Sequence, residues 1–320
     1  MVLNNLQKRI VATIAYFDLF DYPLTSVEVW RWLYCSEDES TAQKVELAAV
    51  IDNLQSAGLQ PIIDVRNGFY FLLGRREIVL TRLNRYGLAK KKFRAVLGPV
   101  AWLRAVPFVQ LAAVCNNVGY GNGSKESDID FFIITKSGRL WLTRLLVTLL
   151  IQILGRRRHG KKIINRICLS FYTSEDRLNL FDLGLKPADP YLAYWLATLA
   201  SVYNRQNSYQ NFLSANQWLA NYLPNFYPVI LNEQRQSKSN WGLDFLRSSL
   251  ELCLSGFFGR WLERLAKFFQ VGRIRRYAGA AGNQKTTDVV ISDEMLKLHT
   301  TDRRQYYRQL WLEKINQLIA

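Results

Sequence analysis

Cys115-Asn116-Asn117-Val118-Gly119-Tyr120-Gly121-Asn122-Gly123-Ser124-Lys125-Glu126-Ser127-Asp128-Ile129-Asp130-Phe131-Phe132-Ile133-Ile134-Thr135 is the stretch that decides how the rest of the chain reads. An apolar segment from 106 to 115 breaks into Asn and Gly, and the break closes on Ser127-Asp128-Ile129-Asp130 ahead of a β-branched and aromatic run. That composition predicts strand, polar turn and short helix, strand. Positions i and i+2 of a strand share a face, so Asp128 and Asp130 are expected side by side where the second strand starts. Two carboxylates held that way repel unless a cation lies between them, and hard oxygen ligands on short arms suit Mg²⁺, with Mn²⁺ as the alternative ion. Asp is also a common turn former at a loop-to-strand junction, so the pair alone says little. The polar turn upstream, an apolar strand on each side and a long apolar helix afterwards give it weight.

This order resembles the signature of the polymerase-beta-like nucleotidyltransferase superfamily, in which a small polar turn, a short helix and Ser-Asp-hydrophobic-Asp lead a strand. The resemblance implies an α+β fold: a small mixed-sheet nucleotidyltransferase core over residues 77–182. It also implies Mg-dependent transfer of a nucleoside monophosphate from a nucleoside triphosphate (NTP) to an acceptor that the sequence does not identify. Asp128 and Asp130 become the metal ligands and catalytic residues. Asn116 and Asn117 stand where the family has Gly-Ser and, with Ser127, are the expected nucleotide-phosphate contacts. Asn offers an amide donor and tolerates left-handed backbone, but the usual hydroxyl is absent.

The family also carries a third acid on a neighbouring strand. Here that strand is Arg166-Ile167-Cys168-Leu169-Ser170-Phe171-Tyr172, whose alternation puts Ile167, Leu169 and Phe171 on one face and Cys168, Ser170 and Tyr172 on the other. No carboxylate lies in phase, and Glu175 and Asp176 substitute only if the chain turns back over the site. The missing acid leaves a second reading open: a catalytically degenerate nucleotide-binding regulator or scaffold.

Residues 1–76 have their own pattern. A helix over 6–17, a break, a Thr25–Glu28 capping box opening a helix over 26–34, a third helix over 45–57 and two short strands around Asn67-Gly68 are predicted. Three helices and a hairpin resemble a winged helix. Its third helix carries Glu46, Asp52 and Asn53 and few cations, which suits protein contact better than DNA reading.

The chain has 320 residues, 49% hydrophobic, and a net charge of +16. Basic runs at Arg75-Arg76, Lys90-Lys91-Lys92 with Arg94, 156–162 and Arg273-Ile274-Arg275-Arg276 are solvated faces that draw polyanions, so nucleic acid is admitted as a partner beside NTP. The scattered Cys35, Cys115, Cys168 and Cys253 and the lone His159 and His299 indicate neither a disulfide framework nor a zinc site, and with no signal peptide the expected location is cytoplasmic. The apolar stretch 140–154 is too short to span a membrane and reads as a core helix. Residues 243–269 are broken by charges at helical spacing and read as one or two amphipathic helices, buried against the rest of the C-terminal region in preference to lying on lipid. Residues 183–320 are expected to be a helical domain, with Thr301 and Asp302 capping the last helix. His299, Arg303 and Arg304 are alternative phosphate or acceptor ligands. Between the N-terminal part and the motif, residues 78–103 read as helix, with Gly98-Pro99 a candidate break.

Overall fold

The computed structural model describes residues 3–36, 43–160, 162–228, 240–278, 289–298 and 302–319. Helix α1 (Asn5–Asp18) opens on an Asn4–Gln7 capping box, and α2 (Ser26–Arg31) on the expected Thr25–Glu28 box. Helix α3 (Leu47–Leu54) is shorter than its pattern suggested. Strands β2 (Ile63–Arg66) and β3 (Phe69–Leu72) form a hairpin through Asn67 and Gly68, whose φ values of +53° and +77° are what an Asn-Gly turn provides. A two-residue strand β1 (Leu24–Thr25), too short to carry a pattern, pairs with β3 and completes a three-stranded antiparallel sheet. This unit is locked to the C-terminal region: Trp311 Nε1 donates to Ala12 O at 2.8 Å and Tyr194 Oη to Trp32 O at 3.0 Å.

Helix α4 (Ile78–Leu103) has the expected bounds and runs unbroken through the candidate break at Gly98-Pro99. Pro99, Val96, Val100 and Leu103 are all buried, and packing of that last stretch outweighs the hydrogen bond a proline removes. Strands β4 (Val109–Cys115), β5 (Ile129–Thr135) and β6 (Ile167–Ser174) follow, with the four-residue α5 (Asn116–Gly119) after β4 and α6 (Leu140–Ile153) between β5 and β6.

The region after residue 182 is not purely helical. Besides α7 (Pro190–Ala197), α8 (Ser208–Ala215), α9 (Leu219–Tyr222), α10 (Trp241–Ser255), α11 (Phe257–Ala278) and α12 (Arg304–Ile319), it supplies β7 (Ala200–Asn204), β8 (Val289–Ile291) and β9 (Met295–Leu298). These complete a six-stranded sheet in the order β7-β4-β5-β6-β9-β8, in which only β5 and β6 run parallel. The apolar run that extends α7 into β7 reads as one helix. Pairing of 200–204 with β4 overrides that local preference.

One sheet face packs on α4, α6 and α11 through Val100, Trp141, Ile151 and Ala266. The other packs on α7, α8, α9 and the N-terminal unit through Phe132, Phe171, Trp195 and Phe212. Strict alternation fails in β6: Asp130 pairs with Cys168 but Phe132 with Phe171, so one extra residue bulges there and Phe171 joins the face that Cys168 starts on.

The expectation that 243–269 is buried is overturned. Helix α10 has no buried residue, and among the described residues of α11 Gly259, Ala266, Gln270 and Ile274 are the buried ones. No described helix is long and apolar enough to cross a membrane.

Candidate active site

The candidate site lies where β4 ends, β5 and β6 begin, and α5 fills the corner. Asn116 leaves β4 with φ +56°, a left-handed backbone that Asn accepts, and this turn aims its side chain at β5. Its Nδ2 donates to Asp130 Oδ2 at 2.8 Å. Gly119 lets α5 press into the corner, since a Cβ there would lie 2.9 Å from Val114 O and 3.0 Å from Thr198 O, both backbone atoms that cannot yield. The N-terminal unit braces the following loop: Tyr22 Oη donates to Tyr120 O at 2.8 Å, and Asn122 Nδ2 to Phe20 O at 3.0 Å.

Asn117 is exposed and accepts through Oδ1 from Tyr120 Oη at 2.9 Å. The Ser127 hydroxyl donates to Ser124 O at 3.1 Å, inside its own loop, while the Ser127 carbonyl accepts from Lys92 Nζ at 2.8 Å. Asn165 Oδ1 accepts from the same ammonium at 2.7 Å, so Lys92 ties the loop before β5 to the loop before β6. Lys92 had read as part of a solvated run, yet it is buried. Its phase with the core positions Ala89, Val96 and Val100 was the signal that could have found it.

Asp128 Oδ2 accepts from Arg158 Nη1 at 2.6 Å. Arg158 reaches it because the loop after α6 runs beside β6, with Arg158 N donating to Ile167 O at 3.0 Å and Ile167 N to Arg156 O at 2.7 Å. Cys168, directly across from Asp130 in the parallel ladder, brings its thiol to the pair: ligand atoms of Asp128, Asp130 and Cys168 all lie within 4.8 Å of one another. The position in phase with Asp130 on β6 thus holds a thiol where a third acid was sought. Glu175 and Asp176 do not turn back. They sit at the other end of β6, where Glu175 N donates to Thr135 O at 2.9 Å and the Ser137 hydroxyl to Asp176.

Burial, then the charge on Asp128, pushes the Asp130 carboxyl up to about 6, against the hydrogen bonds from Asn116 and Cys168 and the more distant Arg158 charge. Burial and the two aspartates push the Cys168 thiol up to about 12, so without a bound cation it is protonated at neutral pH. The three donors brought together are two carboxylates and a thiol, and the carboxylates are the hard oxygen ligands that a divalent cation such as Mg²⁺ takes. Asp128 and Asp130 are the residues that would hold it.

Beside the pair, on the α7 side of the sheet, opens a cavity of about 220 Å³ whose wall includes Asn116, so the side chain that orients Asp130 also borders the cavity. Phe171, Trp195, Tyr191 and Tyr307 give it aromatic surface and Arg303 gives it positive charge, while Lys297 is paired at 3.5 Å with Asp302, which also lines it. The rings of Tyr191 and Tyr307 are nearly parallel, at 9° and 6.0 Å between centroids. Arg304 also lines it but is buried and bound to Asp302 at 2.6 Å and to Asp189 at 2.9 Å. Asp302 caps α12 as expected, accepting from Arg304 N at 2.9 Å. His299 and Thr301 lie outside the described residues. Comparison with protein-family models, with characterised proteins and with solved structures gave no match.

Proposed function

We propose that this chain is a divalent-metal-dependent nucleotidyltransferase that binds an NTP at Asp128 and Asp130 and transfers its nucleotidyl group to an acceptor, with pyrophosphate leaving. The observation that carries the reading is the half-buried carboxylate pair at the start of β5, one member oriented at 2.8 Å by Asn116, which itself lines an aromatic cavity. The connection of β4, α5, β5, α6 and β6, with the pair leading the strand that runs parallel to β6, agrees with the nucleotidyltransferase order. A cation bound there, Mg²⁺ or Mn²⁺, would neutralise phosphate charge and favour in-line displacement at the α-phosphorus.

The chain's own residues take the remaining roles. Asn116 holds Asp130 in the ligating orientation. Arg158 satisfies Asp128 until a cation replaces it, and its guanidinium, on an exposed loop, is then free to meet a phosphate oxygen. Arg303 supplies anion affinity in the cavity, and Tyr191, Trp195 and Tyr307 supply faces for a base or acceptor ring. The N-terminal unit has the helix and strand order of a winged helix, and its contacts to 120–122 make it the brace of the site. Nucleic acid is one acceptor class that the net charge of +16 admits.

A second reading, a degenerate nucleotide-binding regulator, is favoured by one specific observation: Cys168 occupies the place opposite Asp130 where a third carboxylate would complete the site. One experiment separates the two. Purified protein is incubated with α-phosphate-labelled NTPs and Mg²⁺ or Mn²⁺, alone and with cellular RNA, protein and small-molecule extract, beside Asp128→Asn/Asp130→Asn. Label transfer lost in the variant supports the enzyme; metal-dependent nucleotide binding without transfer supports the regulator; neither binding nor transfer rejects both.

A further inference from the structure

Helices α10 and α11 dock on the body through their acids and Gln270, with Ala266 and Ile274 of α11 packed beside them. On α10, Asp244 Oδ2 meets Arg104 at 3.4 Å, and Glu251 Oε1 accepts from Arg205 at 2.5 Å and from Phe108 N at 2.9 Å. On α11, the Glu263 carboxylate caps α6, accepting from Trp141 N at 2.7 Å and Leu142 N at 2.8 Å, and Gln270 donates to Trp141 O at 2.8 Å. These three are the only acids of the two helices, and each is turned inward and bonded.

What faces away is apolar and basic. Trp241, Phe245 and Leu252 on α10 are 62–80% exposed, and Phe257, Trp261 and Phe268 on α11 are 50–77% exposed. Arg260, Arg264, Arg273, Arg275 and Arg276 are exposed along α11 among them. A soluble helix pair buries its apolar stripe, and this pair does the reverse.

At the joint of the two helices lies a cavity of about 630 Å³ lined by Lys136, Arg139, Arg260, Arg264 and Lys267 against only Glu263 and Asp293. Lys136, Arg260 and Arg264 make no ion pair among the described residues. Phe257 and Phe258 fall in the chain between Ser255 and Arg260, both of which line this cavity, so exposed aromatic rings flank a cationic recess.

We propose that the α10–α11 face lies on an anionic phospholipid surface, its aromatic side chains entering the headgroup and acyl boundary and the basic recess receiving a lipid phosphate. Aromatic and basic residues without acids are the composition of an interfacial helix, and no described helix spans a bilayer, so the pair lies on the surface. A second copy of this chain fits the face poorly, because twofold contact would set one arginine row against another. The proposal stands apart from the nucleotidyl-transfer reading.

Flotation of the full chain with vesicles tests it, using phosphatidylcholine alone and an equimolar mixture of phosphatidylcholine and phosphatidylglycerol. Binding to the mixture is expected to exceed binding to phosphatidylcholine by about tenfold and to weaken with added salt. Trp241→Ser/Phe257→Ser/Trp261→Ser/Phe268→Ser is expected to lower it by about tenfold or more. Should that variant misfold by circular dichroism, Lys136→Ser/Arg260→Ser/Arg264→Ser serves instead, with an expected loss of about tenfold on the mixture only. Absence of flotation with the mixture, or flotation unchanged in a folded variant, overturns the proposal. So does a vesicle-free dimer, seen by sedimentation, that the aromatic variant abolishes.

Discussion

The carboxylate end of the central sheet and the α10–α11 pair depart from the usual distribution of polarity in opposite directions. At the first, charge is drawn inward: Asp130 is desolvated beside Asp128, and Arg304 is buried between Asp189 and Asp302 next to the neighbouring cavity. At the second, apolar rings are turned outward while every acid is consumed in docking. Both arrangements cost stability relative to a plain core and surface, which is why each marks a place where another molecule is expected. The difference lies in the partner: concentrated charge in a cavity calls for a small polar ligand, and a broad apolar and basic face calls for an extended surface.

The largest effect should come from breaking the charged end at its centre. Asp128→Asn or Asp130→Asn is expected to lower nucleotidyl transfer by about 10²–10³-fold, the scale of removing one preorganised electrostatic group, measured by label transfer. Asp130→Asn should leave the thermal midpoint unchanged or higher, because the substitution removes a buried charge that burial and Asp128 disfavour. A variant that loses activity only by unfolding would contradict the site assignment.

Next in size is the buried cation. Arg304→Met takes from Asp189 its ion pair and leaves Asp302 only Lys297, at 3.5 Å, and is expected to cost about 3 kcal/mol in urea unfolding. A change below about 0.5 kcal/mol, the range of ordinary surface substitutions, would show that the cluster is not buried as described.

The same cluster sets a pH dependence. Hydrogen bonds and charge from Arg304, with Lys297, hold the Asp302 carboxyl well below the usual carboxylate range against the opposing effect of burial. A depressed carboxyl stabilises the fold above its unfolded value of about 4 and loses that contribution as pH falls towards its folded value. Stability should therefore drop below about pH 4, and Asp302→Asn should flatten that drop while costing about 1–2 kcal/mol at neutral pH. Thermal melts across acid pH read both.

The smallest effect belongs to the outward face. Trp241→Ser or Phe268→Ser is expected to shift stability by less than about 0.5 kcal/mol and to leave nucleotidyl transfer unchanged in vesicle-free buffer, since neither ring is buried. A cost of several kcal/mol would place these rings in a core and erase the contrast between the two regions.

Much of the local structure was legible because it is written in neighbouring residues. Thr25 and Glu28 form their capping box, Asn67-Gly68 makes its hairpin, and Asp128-Ile129-Asp130 leads a strand. Long-range pairing was not legible. Strand β7 followed an apolar helix without a break in pattern, β1 was two residues long, and the bulge in β6 left no mark on its alternation. At the candidate site the aspartate pair was readable, but Arg158, Cys168 and Lys92 reach it from a loop, a neighbouring strand and a helix, which only the folded chain brings together.

The sequence by itself determined where helices and hairpins start, that two carboxylates share one strand face, and that the chain carries a large excess of positive charge, because periodicity, capping and composition are local or additive properties. Tertiary structure alone decided that Arg158 neutralises Asp128, that the six-stranded sheet draws strands from both halves of the chain, and which side of α10 and α11 faces out. The amphipathic pattern of 243–269 is compatible with either orientation. Inward hydrogen bonds accepted by Glu251 and Glu263 and donated by Gln270, all with groups distant in sequence, fix the polar side against the body, and the exposed rings are left to face outward.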